Sequence, residues 1–426
     1  MFSETIYKTQ PIVNPFESSG QKIWLKVAKL FDGENILEDV HFVYDHRTIH
    51  HLSKELPSLY FDLSQESPVR IPEDDVLMPC LLEGHAHLHL LGNELDFEKR
   101  KQQQSQSSED LLVEAQKRMV NLAKYGLGAV RDGGDAQGIG LKLAEQKTEC
   151  APVYFSPGAG INRQKRYGSF FARPYEEFSD ADSCVANRFE QGAKHLKMVV
   201  SGIIDFQKGA VTAKPQFNAE EIAQFVNSAH ARGLSVMAHA SGEEGIRESV
   251  WGGVDTLEHG FFMQNEHLEE MLKRGTLWIP TFAPVQCQVD YAKQMGWTPD
   301  IVGNLQRILD HHAKMLCRAL AMGVNIVAGS DAGSIGVAHG DGLLYELELM
   351  ERAGMPTLEV LKSATSRSAD FLFPNANVGR IKEGTAARFM LVNNKCIASV
   401  KHLKSERKTI WDGQVYNAND IQTTLF

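Results

Sequence analysis

The chain has 426 residues, 43% hydrophobic and 23% charged, the balance of a soluble globular protein with length for more than one small domain. A net charge of −10 with no basic run excludes the electrostatic footprint of a nucleic-acid binder. Six scattered cysteines (Cys80, Cys150, Cys184, Cys287, Cys317, Cys396) form no Cys-x-x-Cys pair, which suggests neither a zinc ribbon nor a disulfide framework and fits a reducing compartment.

Met1 to Gly20 is polar, without a basic stretch leading into an apolar one, and no apolar run is long enough for a bilayer. The expectation is a cytoplasmic protein with neither membrane nor nucleic-acid partners. From Gln21 to about Val76 short antiparallel strands are predicted: Ile23 to Val27, Val40 to Tyr44 after the turn Asp32-Gly33-Glu34-Asn35, and Thr48 to Leu52. Apolar strands then alternate with amphipathic helices, the pattern of a parallel sheet with helical crossovers.

Eight such strands are expected: Leu77 to Leu82, Gly128 to Arg131, Val153 to Ser156, His195 to Val200, Leu234 to Ala238, Asp255 to Glu258, Leu277 to Pro280 and Val324 to Gly329. The clearest helix runs from Asn218 to Arg232. Asn218 can cap it, Glu220 and Glu221 suit the positive first turn, and Ile222, Phe225, Val226 and Ala229 repeat at helical spacing before Gly233 ends it. No Gly-x-Gly-x-x-Gly follows the first strand, so a closed barrel fits better than a doubly wound sheet.

Strands Ala387 to Asn393, Ala398 to Lys401 and Lys408 to Trp411, with the hairpin-like Asp412-Gly413, close the chain. The predicted fold class is α/β: a (β/α)8 TIM barrel over 77–372, with a small β-sandwich domain formed from both chain termini, 1–76 and 373–426.

The strongest local signal is Glu83-Gly84-His85-Ala86-His87 after the first barrel strand. Histidines one residue apart on extended chain point to the same side and can converge on one metal. Any single core histidine has an ordinary structural explanation. However, His239, His259 and Asp331 all end apolar strands, at the rim where a barrel gathers its catalytic groups. Lys197 interrupts His-Leu-Lys-Met-Val-Val on the fourth strand, where a desolvated ammonium beside a metal is unfavourable. Reaction of its amine with carbon dioxide would remove the conflict, because the resulting carbamate can bridge two divalent ions. His89 extends the cluster without an assigned role.

These motifs resemble the amidohydrolase superfamily, in its imidazolonepropionase-like and Xaa-Pro dipeptidase-like branch, over nearly the whole chain. Pro79 to His87 matches the family's Pro-Gly-Leu-Ile-Asp-x-His-x-His with Glu83 in place of Asp. Gly126 to Asp132 matches its Gly-x-Thr-Thr-Val-Arg-Asp, and Gly192 to Gly202 its bridging-lysine segment, favouring Lys197 over Lys194. Ala238-His239-Ala240, Leu257 to Gly260 and Gly329 to Gly333 follow in the family's order.

The resemblance implies two divalent ions, with zinc suiting the histidine-rich set and manganese or iron open to the same ligands. It places His85, His87 and Asp331 on one ion, His239 and His259 on the other, and carbamylated Lys197 and a hydroxide between them. Asp331 and His259 are the candidate catalytic residues, with Asp331 as base. The implied reaction is hydrolysis of an amide bond of a small molecule or dipeptide.

The dipeptidase Gly-Gly-His-Gly loop is replaced by Asn162 to Gly168, in which Arg163, Arg166 or Tyr167 can hold a substrate carboxylate or form an exposed basic loop. His339 is either a further substrate contact or a loop histidine. Near the end, Gly384 to Phe389 replaces the family's Ala-Asp-Leu-Val pattern. Three alternatives stay open: a one-metal deaminase using Glu243 or Glu244, a cyclic-amide hydrolase, and a non-catalytic scaffold. The oligomeric state is open too, a homo-oligomer included.

Overall fold

The computed structural model describes residues 16–17, 20–146 and 151–417. Most of the Met1 to Gly20 segment, and Cys150, lie outside the described residues.

Both ends of the described chain build one eight-stranded sheet. Its order is Gln414–Asn417, Arg407–Trp411, Arg388–Asn393, Asp75–Pro79, Ile23–Phe31, Ile36–Tyr44, Ile49–Ser53, with Val69–Arg70 beside Ile23–Phe31. The first hairpin turns where expected, because Asp32 Oδ1 accepts the Glu34 and Asn35 amides at 2.8 Å each. Gly33 sits there at φ +109°, and a Cβ on it would lie 2.6 Å from the Gly379 carbonyl, so only glycine fits. The core of this sheet is apolar: Leu25, Val27, Phe42, Leu77, Phe389 and Ile410 are all fully buried. Phe389 meets Phe42 and Tyr44 edge-on at 5.1 and 5.0 Å.

The middle of the chain alternates parallel strands with helices. Leu81–Ala86, Leu127–Asp132 and Val153–Phe155 form one parallel sheet. The second runs Ala172–Pro174, Gly160–Asn162, His195–Val199, Ser235–Ala240, Thr256–His259, Leu277–Ile279. On one side the Lys194 amide reaches the Ser156 carbonyl at 2.9 Å. On the other, segment 324–332 lies between Leu277–Ile279 and Leu81–Ala86. Its bonds are Trp278 N to Asn325 O at 3.0 Å, Gly84 N to Ala328 O at 3.0 Å and Asp331 N to His85 O at 2.7 Å.

The helix expected at Asn218 is Ala219–Ala231. Asn218 accepts the Glu221 amide while Glu221 reaches back to the Asn218 amide, and its buried face carries Ile222, Phe225, Val226 and Ala229. Each large apolar side chain buried this way contributes about 1.5–3 kcal/mol. No helix of the described residues is long and apolar enough to cross a membrane.

Three expectations need correction, and two strands were not foreseen. The single strand Leu77 to Leu82 is broken at Cys80: Met78 pairs with Met390 in the terminal sheet, whereas Leu81 pairs with Leu127. Val324 to Gly329 is not a regular strand, although it bridges Trp278 through Ile326. A Cβ on Gly329 would stand 2.9 Å from the His85 amide nitrogen and 2.7 Å from the Ile279 side chain, so the segment passes where only glycine fits. Ala398 to Lys401 falls across two short 3-10 turns, Asn394–Ile397 and Val400–Lys404, because Glu351 takes the Ser399 hydroxyl (2.6 Å) and the Val400 amide (3.1 Å). The strands Gly160–Asn162 and Ala172–Pro174 were not predicted at all.

Candidate metal centre

The functional side chains sit where the parallel strands end. Along Leu81–Ala86 and one residue beyond, strand alternation sends Glu83, His85 and His87 to one side. The Glu83 carboxylate takes the Ser330 amide (2.9 Å), the Ser330 hydroxyl (2.6 Å) and the His85 amide (3.1 Å), which ties segment 328–331 to the first strand. That brings Asp331 beside the pair: its Oδ1 is 3.6 Å from both His85 Nε2 and His87 Nε2. One ligand atom from each of the three lies within 4.8 Å of the others.

Two more histidines continue the row. The His85 and His259 ring centroids are 5.2 Å apart, and those of His259 and His239 are 4.5 Å apart. Adjacent strand residues normally face opposite ways, yet both Glu258 and His259 reach toward His85. The reason is local: His259 has φ +69°, which breaks the alternation at the strand's last residue. Asp331 (φ +55°) and Thr281 (φ +50°) share that left-handed conformation. Three non-glycine residues so placed cost about 1–3 kcal/mol each and cluster at one site.

In three of the rings one nitrogen is already engaged. His85 Nδ1 meets Glu258 Oε2 at 2.7 Å, His87 Nδ1 meets the Gly134 carbonyl at 3.1 Å, and His259 Nδ1 meets Thr281 Oγ1 at 2.7 Å. The Gly202 carbonyl supports His239. Nε2 is the nitrogen left in each, and in His85 and His239 it is buried without a hydrogen-bond partner. A buried polar atom left so costs about 1–3 kcal/mol.

Burial also holds all four rings neutral. It pushes His85, His87 and His259 well below the ordinary histidine range and His239 to about 3, with the Lys197 charge adding to the effect. Neutral imidazoles with free Nε2 atoms, and a second partner on the opposite nitrogen, are the donor set of a divalent-metal site. The His85–His87–Asp331 cluster fits such an ion.

Lys197 is buried among these groups at 1% exposure, its amine 5.9 Å from the centroid of the Phe171 ring. Burial lowers it to about 8, against the pull of Glu258 and Asp331. Burial likewise raises Asp331 to about 7, opposed by Lys197 and by the Ser334 hydroxyl, 3.0 Å from Oδ2.

The other sequence candidates divide between the edge of the site and the surface. Arg166 is exposed and donates to the Lys214 carbonyl at 2.5 Å. Arg163 is engaged by Glu221 (2.5 Å) and Glu176 (3.5 Å) and lies over Phe217. The Tyr167 ring packs on His239, 5.4 Å between centroids. His339 is buried with Nε2 3.1 Å from the His87 carbonyl, so it touches that residue's backbone. Glu243 and Glu244 are exposed on the first turn of Glu243–Trp251.

Residues that the sequence did not single out complete the site. Glu258 is fully buried and also takes the Thr256 hydroxyl (2.5 Å) and the Arg131 guanidinium (3.4 Å). Glu346 accepts the Phe282 and Ala283 amides at 2.8 Å each, fixing the turn that carries Thr281. The usable signal was a charged residue inside an apolar segment, in Leu257-Glu258 and in Tyr345-Glu346-Leu347.

The profile of the Amidohydrolase family matches residues 76–416. The chain belongs to the amidohydrolase family. This amidohydrolase is 25% identical over 395 residues to an ochratoxinase of Aspergillus niger, covering 84% of this chain and 78% of that one. Among solved structures, an Xaa-Pro dipeptidase with bound methionine in the active site superposes with a TM-score of 0.77 at 24% identity, over 93% of this chain and 100% of that one. The Aspergillus niger ochratoxinase structure superposes with a TM-score of 0.75 at 22% identity, over 95% and 97%. These likenesses show a fold of the TIM-barrel plus β-sandwich type, and the amidohydrolase is a hydrolase of carbon–nitrogen bonds.

Proposed function

We propose that this amidohydrolase is metal-dependent and cleaves an amide bond of a small molecule or dipeptide at a two-ion centre. The carrying observation is a row of four buried histidines in which Nε2 of His85 and His239 has no hydrogen-bond partner and Nε2 of His85 and His87 lies 3.6 Å from Asp331 Oδ1. His85, His87 and Asp331 would hold one ion, His239 and His259 the other, with Lys197 between them as its carbamate. The relatives named for ochratoxin and for Xaa-Pro dipeptides support a small amide as substrate.

When bound, the ions supply a water of lowered pKa and polarise the scissile carbonyl. Asp331, with Oδ2 steadied by Ser334, takes the proton of the attacking water and returns it to the leaving nitrogen. The Lys197 amine, with its pKa lowered by burial, has more of the neutral form that attacks carbon dioxide. His259 serves as ligand at the reacting centre, and Tyr167 lines it beside His239.

Two parallel sheets, joined on each side by backbone bonds, would form the wall of one (β/α)8 barrel that starts at Leu81 rather than at 77, because 75–79 pair within the terminal sheet, and runs to 372, with the described parts of 20–79 and 373–417 as the sandwich. Cytoplasmic placement belongs to the same proposal and rests on free thiols at Cys80, Cys184, Cys287, Cys317 and Cys396. The exposed positions of Glu243 and Glu244 weigh against the one-metal deaminase.

Elemental analysis of full-length protein purified without chelator tests the centre, alongside release of acid and amine from N-acyl amino acids and dipeptides. About two zinc-class ions per chain is the expected result. One ion with released ammonia would replace the reading by a deaminase, and no ion after reconstitution would remove it.

A further inference from the structure

We infer that two separate buried glutamates position the two halves of the metal centre, Glu258 through His85 and Glu346 through Thr281 and His259, so that each ion can be weakened without the other. The inference rests on the two-ion reading above and deepens it.

The first arm starts at Glu258. Its Oε2 meets His85 Nδ1 at 2.7 Å, while Oε1 takes the Thr256 hydroxyl (2.5 Å) and Arg131 Nη1 (3.4 Å). With Glu258 ionised beside Arg131, its oxygens only accept, and His85 then carries its proton on Nδ1 and presents a lone pair at Nε2. Arg131 Nη2 also donates to the Thr256 hydroxyl at 3.0 Å, so the three side chains form one braced unit behind one ring.

Glu258→Gln cannot satisfy that unit. If the amide oxygen faces His85, its NH2 group faces the Arg131 guanidinium, and if it is flipped, the NH2 group faces His85 Nδ1–H.

The second arm shares no hydrogen-bonded residue with the first, although Glu258 directly precedes His259 in the strand and attracts Lys197. Glu346, on the helix Asp341–Arg352, holds the Phe282 and Ala283 amides at the start of Phe282–Asp290. That anchors Thr281 at φ +50°, an unfavourable conformation for a β-branched residue, with Oγ1 2.7 Å from His259 Nδ1. His259 is thereby aimed by a side chain from a different part of the chain.

The test is zinc retention. Zinc-loaded, full-length wild type and variants are dialysed against stepped chelator, and zinc per chain is read by elemental analysis. In the wild type two ions are expected to leave in two steps. Glu258→Gln is expected to bring one step to a chelator level about 10–100-fold lower and leave the other in place. Thr281→Val is expected to do the reverse, moving the step that Glu258→Gln leaves unchanged. Should Glu258→Gln not fold, Thr256→Val removes the hydroxyl bond to Oε1 and must move the same single step. Loss of both ions together in either arm, or no movement in both, overturns the inference. A wild type that holds fewer than two ions overturns the two-ion reading instead.

Discussion

The terminal sheet and the ends of the parallel strands bury their residues for opposite ends. In the sheet, fully buried positions such as Leu25, Phe42, Leu77 and Phe389 are apolar. At the strand ends the buried positions include His85, Lys197, Glu258 and His259, and three of the residues there hold a positive φ. Burying charge and strain lowers stability, and burying phenylalanine raises it. Burial is therefore stabilising at the named sheet positions and costly at the strand ends, and changes in the two should have separable effects.

The sharpest break falls on Asp331. Asp331→Ala is expected to reduce kcat about 10²–10⁴-fold with a much smaller change in KM, read by steady-state kinetics. An unchanged kcat would remove Asp331 from proton transfer. Phe389→Ala should do the reverse: a loss of about 3–5 kcal/mol in denaturant unfolding, with kcat per folded molecule and metal content kept. A metal content that falls with Phe389→Ala would show that the regions are coupled.

Chelation sits between these. Stripping the ions should abolish turnover and lower stability by about 2.7 kcal/mol per ion relative to protein held at a hundredfold excess of free metal over Kd, followed by the shift in Tm. Insensitivity of both readouts would sink the metal reading. The smallest effect is expected at the Ala219–Ala231 cap, where Asn218→Ala should cost about 1 kcal/mol and leave kcat alone.

The same contrast explains what could be read in the sequence. His239, His259 and Asp331 stood out because they fall together at the predicted ends of several strands, a coincidence that separate structural roles rarely produce. Asn218 stood out because a cap and an apolar face are local signals, and both appear as predicted. Glu258 did not, since strand alternation places it opposite His259, and only the φ of +69° turns both toward His85. Cys80 was passed over for a different reason: the residues on either side are equally apolar, and the change of partner between Met390 and Leu127 is a tertiary event. Ala398 to Lys401 failed similarly, because Glu351, far away in the chain, claims its Ser399 and Val400.

That change of partner at Cys80 has a bearing on how the molecule is made. Asp75–Pro79 lies in the middle of the terminal sheet, and its neighbour on one side is Arg388–Asn393. A ribosome delivers the first strand roughly 300 residues before the second, which at about 5–20 residues per second leaves about 15–60 s between them. For that interval Val76, Leu77 and Met78 form an apolar edge with no partner yet synthesised on that side. Arg388–Asn393 then docks onto that open edge, and Arg407–Trp411 and Gln414–Asn417 add outside it in turn, so chaperone demand should concentrate in the window before it arrives.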